Sequence, residues 1–189
     1  RKRRQYDEGV EHMRFVTKLY HKQVDAGRVF IHEQPQTAKS WALKEVEKVM
    51  KRDGVSLYQA DQCMYGLKTW GKHKGDTVAA RKPTTFMTNS RAIGRHLSKK
   101  CEGQHRHQHL VDGRAKDAAR YPPELCRAIC RGIIKEKRER AQGIRSVAEI
   151  PSTYRPRRLD LEEFHEKKRR ISQRPVWRDL PRVGIRFYR

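Results

Sequence analysis

The apolar positions of the chain first recur with a helical period. Val10, Met13, Val16, Leu19, Tyr20 and Val24 line one side of a stretch from about Asp7 to Ala26, which Gly27 ends. A short apolar run, Val29 to Ile31, then predicts a strand. A second helical stretch, Ser40 to Arg52, carries Trp41, Val46, Val49 and Met50, with Ser40 placed to cap it and Gly54 to stop it. "VSLYQA", Val55 to Ala60, reads as a second strand and "TTFMT", Thr84 to Thr88, as a third. The polar, glycine-containing segment between them, Gly66 to Lys82, reads as a loop. Asn89 and Ser90 can cap a short helix carrying Ile93 and Leu97. "YPPELCRAICRGI" opens another helix, with prolines where the free N–H groups lie and Leu125, Ile129 and Ile133 along one side. Helices alternating with strands predict an α/β fold. The expected core is a partial Rossmann-like, mostly parallel sheet with flanking helices.

From about Lys135 the pattern fades. Residues 135 to 189 hold 17 Lys and Arg against 8 Asp and Glu, apolar residues thin out and prolines recur. The expected organisation is therefore an α/β domain over residues 1–134 and a basic tail or linker, helical or disordered, over residues 135–189. No internal repeat is visible.

Charge sharpens the picture. The 189 residues carry 45 Lys and Arg against 22 Asp and Glu, a formal charge of +23. An excess of that size points to a polyanionic partner, nucleic acid first, with DNA ahead of RNA. The plainer alternative is a basic protein kept soluble by its charge. A membrane is not expected, because no segment reaches the apolar length of a spanning helix. The basic start "RKRRQYDEG" has no apolar run behind it, so no secretory leader is expected. The four cysteines, Cys63, Cys101, Cys126 and Cys130, read as reduced thiols in the nucleus or cytoplasm.

Three constellations could carry chemistry. Glu33 in "VFIHEQP" stands just past the first predicted strand, where open α/β sheets bind ligands. There it either holds a nucleic-acid base or merely starts the next helix. Cys101, His105, His107 and His109 offer four metal-ligating groups within nine residues. Cysteine and imidazole suit zinc, and Cys126 or Cys130 could complete a tetrahedral set. The alternative is a basic polar loop whose histidines touch phosphate or solvent. Arg81, Lys82, Arg91, Arg95, Lys99 and Lys100 surround the third strand. With Trp70 and Phe86 they could form a phosphate-tracking surface with stacking partners, or simply a solvated helix face. Asp61 and Glu33 could also be recruited as strand-end carboxylates. No GxGxxG, GxxxxGK[ST], HExxH or GxSxG motif occurs.

Taken in order, "FIHEQP", "QADQCMYGL", "RKPTTFMTNS", the Cys101–His105–His107 spacing and "YPPELCRAICRGI" resemble a methyltransferase-like domain of Copia-type retroelement polyproteins. That domain is related to the cytosine-5 DNA methyltransferases, and the resemblance spans about Tyr6 to Ile134. It implies a class I methyltransferase fold in which Glu33 holds a flipped cytosine. It also implies that Arg81 matches an arginine-bearing strand and that the helix after Tyr121 packs near an S-adenosylmethionine pocket. The cofactor's glycine-rich loop and the Pro-Cys nucleophile of that family have no counterpart here, and Cys63 lacks the preceding proline. The expectation is a truncated, inactive methyltransferase-like domain that binds nucleic acid and needs no cofactor as it stands, S-adenosylmethionine belonging to intact relatives. The competing expectation is a non-catalytic basic nucleic-acid-binding module of a mobile-element polyprotein.

Overall fold

A computed structural model describes residues 2–143 apart from positions 72, 74 and 112. The expected tail from residue 144 onward lies outside the described residues. A long helix, α1 (Lys2–Asp25), leads into strand β1 (Ile31–Pro35). A 3-10 turn (Lys39–Ala42) and helix α2 (Lys44–Met50) follow, then β2 (Ser56–Asp61) and a second 3-10 turn (Gln62–Tyr65). A short hairpin, β3 (Lys68–Trp70) and β4 (Thr77–Ala79), precedes β5 (Pro83–Thr88). Helices α3 (Arg91–His96), α4 (Arg114–Asp117) and α5 (Pro123–Ala141) complete the described chain.

The sheet is not the parallel one expected. Its order is β1-β5-β2, and β5 runs antiparallel to both neighbours. Because β1 and β2 each oppose β5, they point the same way. The connection through α2 is therefore a crossover between two parallel strands, as helix–strand alternation suggested, but a third strand fills the gap in the opposite sense. The Rossmann-like, methyltransferase-like sheet is corrected to a small antiparallel sheet with a separate β3–β4 hairpin. That hairpin lies inside the segment expected to be a loop; strands of three residues carry too little alternation to register as a pattern.

The first strand also begins where it was expected to end. Glu33 consequently sits in mid-strand, opposite Phe86, and not past the strand's exit. Side-chain alternation sends Glu33, Phe86 and Tyr58 to one face of the sheet. On that face Tyr58, Ala60 and Phe86 pack with Ile93 of α3 and Leu97 at its end, and with Leu125 and Ala128 of α5. Two glycines make this closeness possible. A Cβ on Gly132 of α5 would meet the Ile93 backbone at 2.7 Å, and one on Gly94 would run into the Tyr58 ring at 2.1 Å. Ser90 caps α3 as expected, accepting from the Ile93 N–H at 3.1 Å. Its hydroxyl also donates to Glu136 of α5 at 2.6 Å, a carboxylate that takes Arg140 Nε at 2.6 Å on its other oxygen.

His32 points to the opposite face. Tyr20 of α1 stacks on Phe30 and places its hydroxyl 3.0 Å from His32 Nδ1. Trp41 meets the same imidazole edge-on, with ring centroids 5.2 Å apart, and is itself held by its Nε1 donating to the Pro35 carbonyl at 3.0 Å. His32 is 6% exposed, and its Nε2 has no partner. Burial first, and the neighbouring His12 second, lower its pKa from 6.5 to about 4.

The unfolded chain thus takes up this proton before the folded one does. The stability contributed by neutral His32 is complete above about pH 6.5 and is lost as pH falls toward about 4, by roughly 3 kcal/mol in all. Urea denaturation at about pH 7 and about pH 4.5 should show His32→Leu losing less stability on acidification than the parent chain. Parallel losses in the two proteins would refute this role.

Candidate metal centre and basic surface

The cysteine and histidine side chains that meet come from two segments far apart in sequence. Strand β2 ends at Asp61 and the chain turns at once through the Gln62–Tyr65 3-10 turn, which Gly66 closes with φ at 83°. This turn points Cys63 inward. The second segment follows α3: Cys101, His105 and His107 lie on a stretch with almost no regular structure. The ligand atoms of Cys63, Cys101, His105 and His107 all lie within 4.8 Å of one another. Cys101 Sγ is 3.7 Å from His105 Nε2 and 3.4 Å from His107 Nε2. In a tetrahedral site with ordinary metal–sulfur and metal–nitrogen bonds, the sulfur–nitrogen edge is about 3.6 Å. The two distances bracket that edge.

Several contacts fix this loop. His107 bridges Ala79 of β4, and the Gln108 N–H donates to the Ala79 carbonyl at 2.9 Å. The Gly103 N–H donates to Cys101 Sγ at 3.4 Å. Asp61, 1% exposed, accepts the Cys101 N–H at 2.9 Å and is gripped by Arg81 through Nε at 3.2 Å and Nη2 at 3.4 Å. Its own N–H reaches the Lys99 carbonyl at 2.9 Å. Burial first, then the adjacent Cys101 sulfur, push the Cys63 thiol up to about 12. His107 is lowered by burial and then by His105 and Arg81, which favours the neutral imidazole that ligates metals. Two buried sulfurs crowded beside two half-buried imidazoles form a cluster able to hold a metal ion.

Of the metal-ligating residues read from sequence, Cys101, His105 and His107 are brought together. His109 is exposed and stands outside the group, and Cys126 and Cys130 are exposed on α5. The fourth member is Cys63. Its only sequence signal was a cysteine directly after a strand, and nothing in the spacing joins it to Cys101.

The basic residues divide by environment. Arg81, Lys99 and Lys100 are exposed around Asp61. Lys99 lies 5.5 Å from the Tyr65 ring centre, and Lys100 Nζ donates to Gln59 Oε1 at 2.8 Å. Burial lowers the Lys100 pKa. Arg95 is exposed on α3, Arg91 is half-buried, and Lys82 turns toward the Ala118 carbonyl at 3.1 Å. Phe86 is fully buried and cannot stack on a base, which corrects that expectation. Trp70 is 46% exposed, with the Arg114 guanidinium 3.6 Å over its ring.

Glu33 lies apart from these cations' hydrogen bonds. Its Oε2 accepts from the Tyr121 hydroxyl at 2.7 Å, while Oε1 is buried without a partner. Burial and then this carboxylate hold the Tyr121 phenol well above its usual range. No family model, curated protein or solved structure matches the chain. Among the described residues, no helix is long and apolar enough to cross a membrane.

Asp61→Ala should leave the Cys101 N–H without its buried acceptor and Arg81 without its fork, lowering stability by about 1–3 kcal/mol in urea denaturation. Lys100→Ala, an exposed change, should stay within about 0.5 kcal/mol. Equal effects of the two would show that Asp61 does not anchor the loop.

Proposed function

We propose that this chain is a basic nucleic-acid-binding module whose 101–107 loop is pinned by a structural zinc ion held by Cys63, Cys101, His105 and His107. The convergence of those four ligand atoms carries the reading. Two thiolates and two imidazoles match zinc in softness and number. Four protein ligands would leave no open position for substrate, which favours a structural over a catalytic ion. Asp61 would act from behind the ligands by fixing the Cys101 backbone. The formal charge of +23, and the exposed Arg81, Lys99 and Lys100 next to the cluster, suit a phosphate backbone.

The chain purified without added metal should contain about one zinc per molecule by elemental analysis. Cys63→Ser and His107→Asn should lose it, and Cys126→Ser should keep it. Zinc present at 1,000 times its Kd contributes about 4 kcal/mol, so chelation should lower the urea midpoint accordingly. A metal-free chain, or zinc retained by Cys63→Ser, defeats the assignment.

Affinity for an oligonucleotide should fall steeply between about 50 and 200 mM salt, as counterions released by phosphate contacts dictate. A flat response over that range would rule out the nucleic-acid role.

A further inference from the structure

We propose that Trp70 is a stacking platform for an unpaired base, so that the partner is a single-stranded nucleic acid. This rests on the nucleic-acid reading above and names its substrate class. Trp70 lies at the outer end of the β3–β4 hairpin, paired with Thr77. Along β3 the exposure alternates: Lys68 and Trp70 face solvent while Thr69 between them is buried. The indole is left 46% exposed at this end of the hairpin.

Its surroundings prepare it for a flat ligand. The Arg114 guanidinium covers one side of the ring at 3.6 Å. Arg114 is only 7% exposed and is fixed in turn, with Nε donating to the Trp70 carbonyl at 3.2 Å and Nη1 to the Val111 carbonyl at 3.3 Å. The ring is thus braced from behind by a buried cation, and little side-chain freedom remains to be lost on binding. Val111, 52% exposed, adds apolar surface beside the same arginine.

The charge nearby fits a strand that passes over this ring. Lys68 shares the outer side of β3. Two residues past the end of β4 stands Arg81, held by Asp61 with its side chain half exposed. A backbone gripped at Arg81 could extend along the hairpin and present a base to Trp70. Within a duplex the base faces are already stacked on their neighbours and offer the indole nothing, whereas a single strand offers every base. A protein partner would meet the same aromatic surface but would leave the cations without phosphates.

The test uses the full chain with zinc bound. Fluorescence anisotropy compares a short single-stranded oligothymidylate with a duplex at one salt concentration. The parent chain should prefer the single strand. Trp70→Ala should weaken single-strand binding by about ten- to hundredfold and duplex binding less than about twofold, and Trp70→Phe should recover part of the loss. Indole fluorescence should be quenched by the oligonucleotide in the parent chain and less so in Trp70→Phe, which keeps only Trp41 and Trp177, a readout that does not depend on the alanine variant folding. Salt-dependent binding that Trp70→Ala leaves unchanged, or weakens equally for both ligands, overturns the platform while the nucleic-acid reading stands. Binding to neither ligand overturns both.

Discussion

Asp61 is a carboxylate with almost no access to water, and two other pieces of chain converge on it. Its side chain takes the Arg81 guanidinium from the segment entering β5 and the backbone N–H of Cys101 from the loop after α3, while its own N–H binds the Lys99 carbonyl. A buried charge survives only when such partners satisfy it, because its desolvation would otherwise cost several kcal/mol. The consequence is geometric. The loop from Cys101 to His107 has almost no hydrogen-bonded ladder to give it shape, so its first residue is placed by Asp61 and its last by the bridge to Ala79. Cys63 follows Asp61 by two positions. One carboxylate therefore sets the separation of two cysteines that are 38 positions apart in the sequence.

The same interaction explains which parts of the molecule could be read from the chain alone. Local signals survived: helix α1 and its glycine stop, the threonine-rich strand β5, the Ser90 cap and the proline start of α5 each depend on neighbours within a few residues. What failed was long-range. Alternation marks a strand but not its direction, and β5 enters between β1 and β2 against the sense that an α/β alternation implies. The strand carrying Glu33 was shortened because His32, Glu33 and Gln34 look polar. Two of them are nonetheless accommodated, His32 between Tyr20 and Trp41 and Glu33 against Tyr121, so the strand continues through them. The Cys/His cluster was legible in three members because they share one loop. Cys63 was not, because only the folded sheet carries the end of β2 to that loop.

The corrected sheet changes what Glu33 can be asked to do. A carboxylate past the mouth of a parallel sheet faces an open crevice. A carboxylate in mid-strand opposite Phe86 faces the helices that cover that side, and one of its oxygens already binds Tyr121. The unpartnered Oε1 lies on the α3–α5 side of the sheet. This carboxylate takes part in packing, while Arg81, Lys99 and Lys100 stand exposed around Asp61.

The hairpin that carries Trp70 and the loop that carries the Cys/His cluster are mechanically joined. Two strands of three residues are too short to hold together by themselves. This pair is held from outside: the Ala80 N–H donates to the Leu67 carbonyl at the hairpin's base, Leu67 and Ala80 pack with Ala118, and Ala79 takes the bridge from His107. His107 is thus at once a member of the Cys/His cluster and the loop residue bridged to β4. An ion that fixed His107 would fix β4, and through β4 the pairing of Thr77 with Trp70. Under the functional reading proposed here, losing the ion would loosen the aromatic surface before it removed a single positive charge. Weakened base stacking with an undiminished salt dependence would then distinguish a metal that shapes the interface from one that merely stabilises the fold.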